Sequence, residues 1–339
     1  MLKRILLVLL MSLLVLTAGT QALTSGTAGH IAVYASLPLM AAELESAFEE
    51  ERGDVVTFVS GPWCRRMRSE MEAGDIKADV ICGAEPLLYM MLKDEGWLVP
   101  YSSTQTPALK PEYREMGEEI GEGYFTLATG RYAVIVYNKK LVEPTDVPTD
   151  WDDLTDPKWK GKVAIPDATL CATAFAMTCG LVQIHGWEYF KDLKENEAML
   201  IWRFKDVPQS VATGEALVGI APTDGVLRMI KKAQQQGVKS PLVMVWPEGG
   251  AISLSSPIAI IQDEKRSEAS TKLAQELVDF VLSKEGQEIA VKYGFISVRG
   301  DLPLPEGIPE EIKAVEVDWE WAHRQEEALR SMFESIFYE

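Results

Sequence analysis

The chain has 339 residues, of which 47% are hydrophobic and 25% charged, and this balance is typical of a globular rather than a disordered protein. It is too long for one typical hydrophobic core, so we expect two lobes. The formal net charge of -18 disfavours nucleic acid and anionic lipid headgroups as partners, because like charges repel.

The first 22 residues have the features of a secretory signal peptide. Lys3 and Arg4 supply positive charge, the apolar stretch Ile5 to Leu16 follows, and residues 20–22 form a cleavage site of small residues. A membrane anchor is the alternative, and it is disfavoured because the apolar stretch is shorter than the roughly 20 residues that a span needs. We therefore expect the mature protein in a periplasm or outside the cell.

The chain has four cysteines, and an oxidising compartment permits disulfides. Cys64 and Cys82 both follow predicted strands, so a bridge between them is one alternative and free buried thiols are the other. Cys171 and Cys179 lie too far apart on one predicted helix to be bridged. A zinc site is disfavoured because the chain has no CxxC pair and its three histidines are scattered, so no metal or other cofactor is predicted.

Strand, turn and helix alternate three times near the start of the mature chain. The predicted strands at 30–34, 55–59 and 79–82 each end in a turn of small residues or proline before a helix. This alternation indicates a parallel sheet with crossover helices, in which ligands lie beyond the carboxyl ends of the strands. The predicted ligand-binding residues of this unit are therefore Ser36, Leu37, Ser60, Gly61, Ala84 and Glu85.

Two extended segments carry the chain between the lobes. The first is Thr126 to Asn138, which contains Arg131, and the second is the apolar segment at 247–261. Two crossings make a two-strand hinge, and hinged lobes close on a ligand. The predicted lobes are residues 29–128 with 251–303, and residues 129–250 with 304–339, so that both are discontinuous in sequence.

The stretch at 153–173 is a polar loop, the short strand Val163 to Ile165, a break at Pro166 and a predicted helix start capped by Asp and Thr. A helix start presents free N–H groups and the positive end of the helix dipole, which together form a seat for an anion. Thr223 and Asp224 follow a further strand at 219–222. The predicted ligand-binding residues of this second unit are Asp167, Ala168, Thr169, Thr173, Thr223 and Asp224.

Arginine side chains support an anionic ligand, because guanidinium groups suit phosphate, phosphonate and carboxylate. Arg65, Arg66 and Arg68 lie on the first turns of a predicted helix, and Arg131 lies where the lobes meet. We predict that Arg65 and Arg131 contact the ligand. The alternative for Arg65, Arg66 and Arg68 is that they lie on a solvated helix face. Asp224 suits an ammonium group, which would make the ligand a zwitterion, or it caps its own helix.

Several blocks occur together and in one order: "ADVICGAE", "GRYAVIVYN", "DLTDPKWKGKVAIP", "ATGEALVGIAPTD" and "LAQELVDFVLSKEGQEIAVKYGFISVR". In these blocks the chain resembles the iron(III)/phosphonate-type group of periplasmic solute-binding proteins, which belongs to extracellular solute-binding protein family 1. The resemblance implies a two-lobed α/β fold of the type II periplasmic-binding-protein class. It also implies a monomer that delivers a small-molecule ligand to the membrane permease and ATPase of an ABC importer.

The identity of the ligand is where the chain departs from this group. Iron-binding members have two adjacent tyrosines after the strand that here reads "GIAPTDG", and this chain has Thr223 and Asp224 there. The resemblance therefore favours a small organic anion of the phosphonate or phosphate-ester type. Ferric iron held by carboxylates and a lone tyrosine (Tyr34, Tyr124 or Tyr132) is the alternative. A secreted enzyme is less favoured, because the chain has no GxSxG or HExxH motif.

Overall fold

The fold is seen in a computed structural model that describes residues 29–36, 38–50, 52–53, 55–61 and 63–339. The predicted signal peptide and Leu37 lie outside the described residues, and so does the side chain of Arg65. Of the helices that are described, none is both long enough and apolar enough to cross a membrane.

The strands of the described chain form one sheet of eleven strands. Its main path runs in the order β2-β1-β3-β10-β5-β8-β6-β7, and three short strands pair at its sides. The strands are β1 (Ile31–Ala35), β2 (Val56–Ser60), β3 (Val80–Cys82), β4 (Leu98–Val99), β5 (Thr126–Asn138), β6 (Val163–Pro166), β7 (Met199–Ile201), β8 (Val218–Pro222), β9 (Leu242–Val245), β10 (Ala251–Ile261) and β11 (Ala314–Val315).

Twelve α-helices in the described residues cover this sheet. Several begin with proline in the first turn, where its missing N–H is not needed, and two begin after a serine whose hydroxyl accepts from the backbone. The helices are α1 (Pro38–Glu49), α2 (Trp63–Glu72), α3 (Pro86–Asp94), α4 (Pro111–Gly121), α5 (Ala172–His185), α6 (Glu188–Glu195), α7 (Val207–Thr213), α8 (Thr223–Gln235), α9 (Glu268–Leu282), α10 (Lys284–Lys292), α11 (Trp319–Arg324) and α12 (Glu326–Tyr338).

The two long strands β5 and β10 join the halves of the sheet. They pair antiparallel from Ile252 opposite Ala133 to Ile258 opposite Thr126. Beyond this shared ribbon β10 pairs with β3, and β5 pairs with β8. The predicted α/β fold of the type II class, with two strands between its halves, is confirmed, whereas the residues at which the lobes divide stay a prediction.

The strands of each half are parallel where the sequence predicts crossover units. β1 pairs parallel with β2 and β3, and β6 pairs parallel with β7 and β8. The carboxyl ends of each group therefore meet at one edge of the sheet, where the predicted site residues follow them.

The predicted helix start directly after Pro166 is wrong, because α5 begins only at Ala172. The Asp167 carboxylate accepts from the backbone N–H (2.8 Å) and the hydroxyl (2.6 Å) of Thr169, which closes a turn of its own. Cys171 precedes the helix, and no side chain of the described residues caps its first turn. Residues 167–171 are thus an ordered turn between strand and helix.

The cysteines are free thiols, so the alternative of a Cys64–Cys82 bridge is not the one seen. Cys82 and Cys179 are buried, and burial raises the pKa of each thiol to about 12. Both are therefore protonated and act as small apolar residues.

Candidate functional site

The turns after β1, β2 and β3 lie side by side. Ala35 pairs with Ser60 on one side and with Cys82 on the other, so the residues that follow these strands share one edge. The Ser36 hydroxyl accepts from the Trp63 indole N–H at 3.4 Å. A Cβ on Gly83 would lie 2.6 Å from the Ser36 hydroxyl oxygen, which explains why glycine occupies that position. The structure thus brings together predicted residues from all three turns.

The turn after β3 has a strained backbone. Ala84 has a φ of 63°, in the left-handed region that costs a residue with a Cβ roughly 1–2 kcal/mol. The buried Tyr89 hydroxyl donates to the Gly83 carbonyl at 2.8 Å and lies 2.9 Å from the Pro257 carbonyl oxygen, so the turn is held from both sides. This conformation fixes the direction in which Glu85 leaves the strand.

Glu85 connects the two halves of the site. Its side chain is almost fully buried, with 3% exposed, and its Oε1 accepts from the Thr173 hydroxyl at 2.9 Å. Burial raises the pKa of Glu85 to about 7, while the Thr173 hydrogen bond and the charges of Arg131 and Arg330 oppose the rise. Near neutral pH this carboxyl can therefore either donate or accept a hydrogen bond.

Arg131 and Asp224 form the charged centre of the site. Arg131 donates to the Ser256 hydroxyl at 2.5 Å, and its Nη1 lies 3.8 Å from Asp224 Oδ1. Arg228 pairs with the other oxygen of Asp224. Within the described residues, neither Arg131 Nε nor Asp224 Oδ1 has a hydrogen-bond partner, although both atoms are buried. Two buried polar atoms, one on a cation and one on an anion, are thus left with unused hydrogen-bonding capacity.

Asp224 does not cap its helix, so this alternative is wrong. It lies inside the first turn of α8, which follows Pro222, and its carboxylate faces the two arginines. The neighbouring Thr223 hydroxyl accepts from the Tyr132 backbone N–H at 3.1 Å and so fastens α8 to the hinge strand β5. Thr223 thus fixes the start of α8 against β5, and Asp224 supplies the negative charge.

The turn at 167–171 faces the same region, and contacts within the protein hold it. Asp167 accepts from Thr169 with one oxygen and from the Tyr338 hydroxyl with the other. The Ala168 carbonyl accepts from Arg330 Nη1 at 3.2 Å. Just after this turn, in the first turn of α5, the Thr173 hydroxyl donates to Glu85. The Asp167 side chain is thus engaged in positioning the turn.

Two of the three arginines on α2, Arg66 and Arg68, form ion pairs with carboxylates of the protein. Arg66 pairs with Glu70 at 2.7 Å and lies 5.0 Å from the centre of the Tyr34 ring. Arg68 Nη2 lies 3.6 Å from Glu326. The role predicted for the Arg65 side chain lies outside the described residues and stays a prediction.

Sequence reasoning missed Ser256, Arg228, Arg330 and Tyr338 as members of this region. Arg228 lies four residues after Asp224, a spacing that places both on one helix face and could have indicated the pair. Arg330 and Tyr338 reach the turn from the far end of the chain, and no local pattern indicates such a contact.

Two of the phenols considered for iron, those of Tyr34 and Tyr132, are protonated near neutral pH. Burial raises the pKa of Tyr132 to about 12, and burial together with the Glu70 carboxylate raises the pKa of Tyr34 further. Tyr34 donates its hydroxyl to Glu70 at 2.7 Å. No group of three or more His, Cys, Asp or Glu in the described part of the chain is arranged to hold a metal ion.

Comparison with known proteins gives one family match, to the model described as "Bacterial extracellular solute-binding protein", over residues 75–324. A Haemophilus influenzae relative, an uncharacterised protein, is 28% identical over 289 residues, which cover 82% of this chain and 80% of the relative. Iron uptake protein A1 of Synechocystis is 23% identical over 287 residues, covering 79% and 73%.

Solved structures share the fold at lower identity. The periplasmic binding protein AfuA from Actinobacillus pleuropneumoniae, with exogenous fructose-6-phosphate bound, superposes with a TM-score of 0.79 at 22% identity and covers 92% of this chain and 99% of its own. Iron-bound HitA from Pseudomonas aeruginosa has a TM-score of 0.72 at 16% identity, covering 91% and 99%.

Proposed function

Because this chain belongs to the bacterial extracellular solute-binding proteins, we propose that it is the substrate-binding component of an ABC importer and captures a small organic anion between its lobes. The anion is of the phosphonate or phosphate-ester type. The protein binds it, closes about the hinge of β5 and β10, docks on the permease and releases it, without chemical conversion. Ligand affinity for the closed state supplies the free energy of closure.

The observation that carries this proposal is the pair of buried atoms, Arg131 Nε and Asp224 Oδ1, that lack a hydrogen-bond partner in the described chain. A buried polar group without a partner costs about 1–3 kcal/mol. A ligand that offers an anionic oxygen to Arg131 and a hydroxyl or ammonium hydrogen to Asp224 removes both costs. Phosphate esters of polyols and aminoalkylphosphonates have both groups.

Glu85 adds a second selective element. With a pKa of about 7, the Glu85 carboxyl is protonated in about half of the molecules at neutral pH. The protonated form can donate a hydrogen bond to an anionic oxygen. The ionised form repels the same oxygen. The sugar phosphate bound by the AfuA structure has the chemistry that this set of residues would accept.

The first test is native mass spectrometry of the secreted protein as purified, read against its denatured mass, with elemental analysis for phosphorus and iron. We expect a bound organic mass that contains phosphorus and no iron. Stoichiometric iron would overturn the proposed ligand class and favour the ferric alternative, as in the neighbours named for iron.

The second test is titration calorimetry with the released ligand, or with fructose 6-phosphate as a probe. Arg131→Met should weaken binding by about 1.5–3 kcal/mol, the contribution of a charged hydrogen bond, which is roughly 10- to 150-fold in Kd. Arg114→Met is the matched control, because Arg114 forms only long ion pairs with Glu115 (3.7 Å) and Glu118 (4.0 Å) on α4. An unchanged dissociation constant in Arg131→Met would remove this residue from the site.

Asp224→Asn separates a zwitterionic from a plain anionic ligand. It should weaken an aminoalkylphosphonate more than the matching alkylphosphonate, because only the first donates an ammonium hydrogen to Oδ1. Thermal melting of the variant establishes that it folds. Equal losses for the two compounds would contradict contact between Asp224 and the ligand.

A further inference from the structure

The C-terminal helix α12 is firmly attached to one half of the molecule. Phe333 is fully buried and packs edge-on against Phe190 of α6 with ring centres 5.9 Å apart. Phe337 packs on Phe333 at 4.6 Å, and Lys194 donates to the Phe337 carbonyl at 2.7 Å. The other side chains of this helix therefore start from a rigid base.

One of these side chains, Arg330, holds the turn at 167–171. Its guanidinium donates to the Ala168 carbonyl at 3.2 Å and lies 3.9 Å from the centre of the Phe175 ring. Glu326, one helical turn earlier, accepts from Arg330 at 2.8 Å and keeps the guanidinium in place. The positive charge of Arg330 also acts on Glu85, where it opposes the rise in pKa that burial causes. Arg330 thus contacts the turn at the Ala168 carbonyl and the helix that follows it at the Phe175 ring.

A second side chain of the helix supports the same turn. The Tyr338 hydroxyl donates to Asp167 Oδ2, while Oδ1 closes the turn with Thr169. The first two residues of the turn are therefore fastened to α12, Asp167 through its carboxylate and Ala168 through its carbonyl.

Glu326 also reaches the other half of the sheet. Its Oε1 lies 3.6 Å from Arg68 Nη2, and Arg68 is on α2, the helix that follows β2. Since β2 and β6 lie in different halves, this ion pair bridges the region between them. It connects the halves at the helix that positions the turn.

We propose that α12 is part of the binding machinery: Arg330 is a positioning residue for the turn at 167–171, and the Glu326–Arg68 pair fastens that helix to the other lobe on closure. The proposal rests on the proposed function, since it assigns these residues to the same ligand site. It makes the last helix of the chain a determinant of how long the ligand stays bound.

Hydrogen exchange of the turn amides tests the positioning role without any ligand. The amides of Asp167, Thr169 and Cys171 are hydrogen-bonded, so their exchange reports on the turn. In protein freed of ligand, Arg330→Met should speed their exchange roughly tenfold or more with little change in melting temperature. Arg330→Lys should restore part of the protection, because lysine keeps the charge but not the fork of donors.

Arg324→Met is the matched control, since Arg324 forms an exposed pair with Glu320 on the neighbouring helix α11. It should leave turn exchange unchanged. Wild-type exchange in Arg330→Met would overturn the positioning role, and so would an equal increase throughout the molecule, which would mean general destabilisation.

Dissociation of fructose 6-phosphate tests the bridge. Arg68→Met should leave turn exchange unchanged and speed dissociation about two- to fivefold, the size expected for a partly exposed ion pair. Unchanged dissociation would overturn the bridging role. If the wild-type protein does not bind this sugar phosphate, fructose 6-phosphate is not its ligand, whereas the exchange result still decides the role of Arg330.

Discussion

Replacing Glu85 by glutamine should stabilise the protein at high pH and leave it unchanged at low pH. The ordinary pKa of this carboxyl is 4.5, and burial raises it to about 7 in the fold. Each tenfold difference in proton affinity corresponds to about 1.4 kcal/mol, so the ionised carboxyl costs the fold about 3 kcal/mol. Only 3% of the residue is exposed, so solvent does little to reduce this cost.

The sign follows from which state holds the proton. Below about pH 4.5 both the folded and the unfolded chain are protonated, so Glu85→Gln has no effect. Between about pH 4.5 and 7 the unfolded chain releases the proton while the folded chain keeps it, and the wild type loses stability as the pH rises. Above about pH 7 the loss is complete. Glutamine keeps the hydrogen bond from Thr173 and has no such loss.

The assay is urea denaturation of ligand-free protein at several values between pH 4 and 8, for wild type, Glu85→Gln and the exposed control Glu72→Gln. The difference in free energy of unfolding between Glu85→Gln and wild type should rise from near zero to about 3 kcal/mol, and the control should stay flat. A difference that does not change with pH would refute the reasoning, and one that falls as the pH rises would reverse it.

Two further predictions concern the ribbon that joins the lobes. Gln287 is fully buried and donates to the carbonyls of Ala128 (2.8 Å) and Val281 (2.9 Å). Gln287→Met should therefore lower the free energy of unfolding, measured by urea denaturation, by about 3 kcal/mol or more. A loss below about 1 kcal/mol would contradict this. Gly130→Ala would place a Cβ 2.0 Å from the Tyr113 hydroxyl oxygen and should cost about 1–3 kcal/mol. Tyr113→Phe should recover part of that loss, and strictly additive losses would argue against the contact.

The regular part of the fold was predictable because its signals are local. The hinge strand β5 runs from Thr126 to Asn138, as predicted, since an unbroken extended apolar stretch is hard to place in any other element. The start of α5 was not predictable in the same way. Asp and Thr favour both helix caps and side-chain turns, and here Asp167 bonds to Thr169 within a turn, so the helix begins later.

The candidate site was predictable only where topology alone places it. Parallel strands bring their carboxyl ends to one edge, so the residues after β1, β3, β6 and β8 could be named from the alternation of strands and helices. The contact of Arg330 with Ala168 joins residues that are 162 positions apart, and no spacing indicates it. Among the described residues Asp224 Oδ1 has no hydrogen-bond partner. This also depends on how the whole molecule packs, so no pattern in the sequence indicates it.

The position of β10 in the sheet has a consequence for the order in which this chain can fold. β10 lies between β3 and β5, yet it is made long after both. Until residues 251–261 have emerged from the ribosome, each of these earlier strands keeps an open side. Long-range pairing of this kind is slow to form, and open strand sides invite pairing with other chains. A fragment that ends before Ala251 should therefore aggregate rather than fold as a separate lobe.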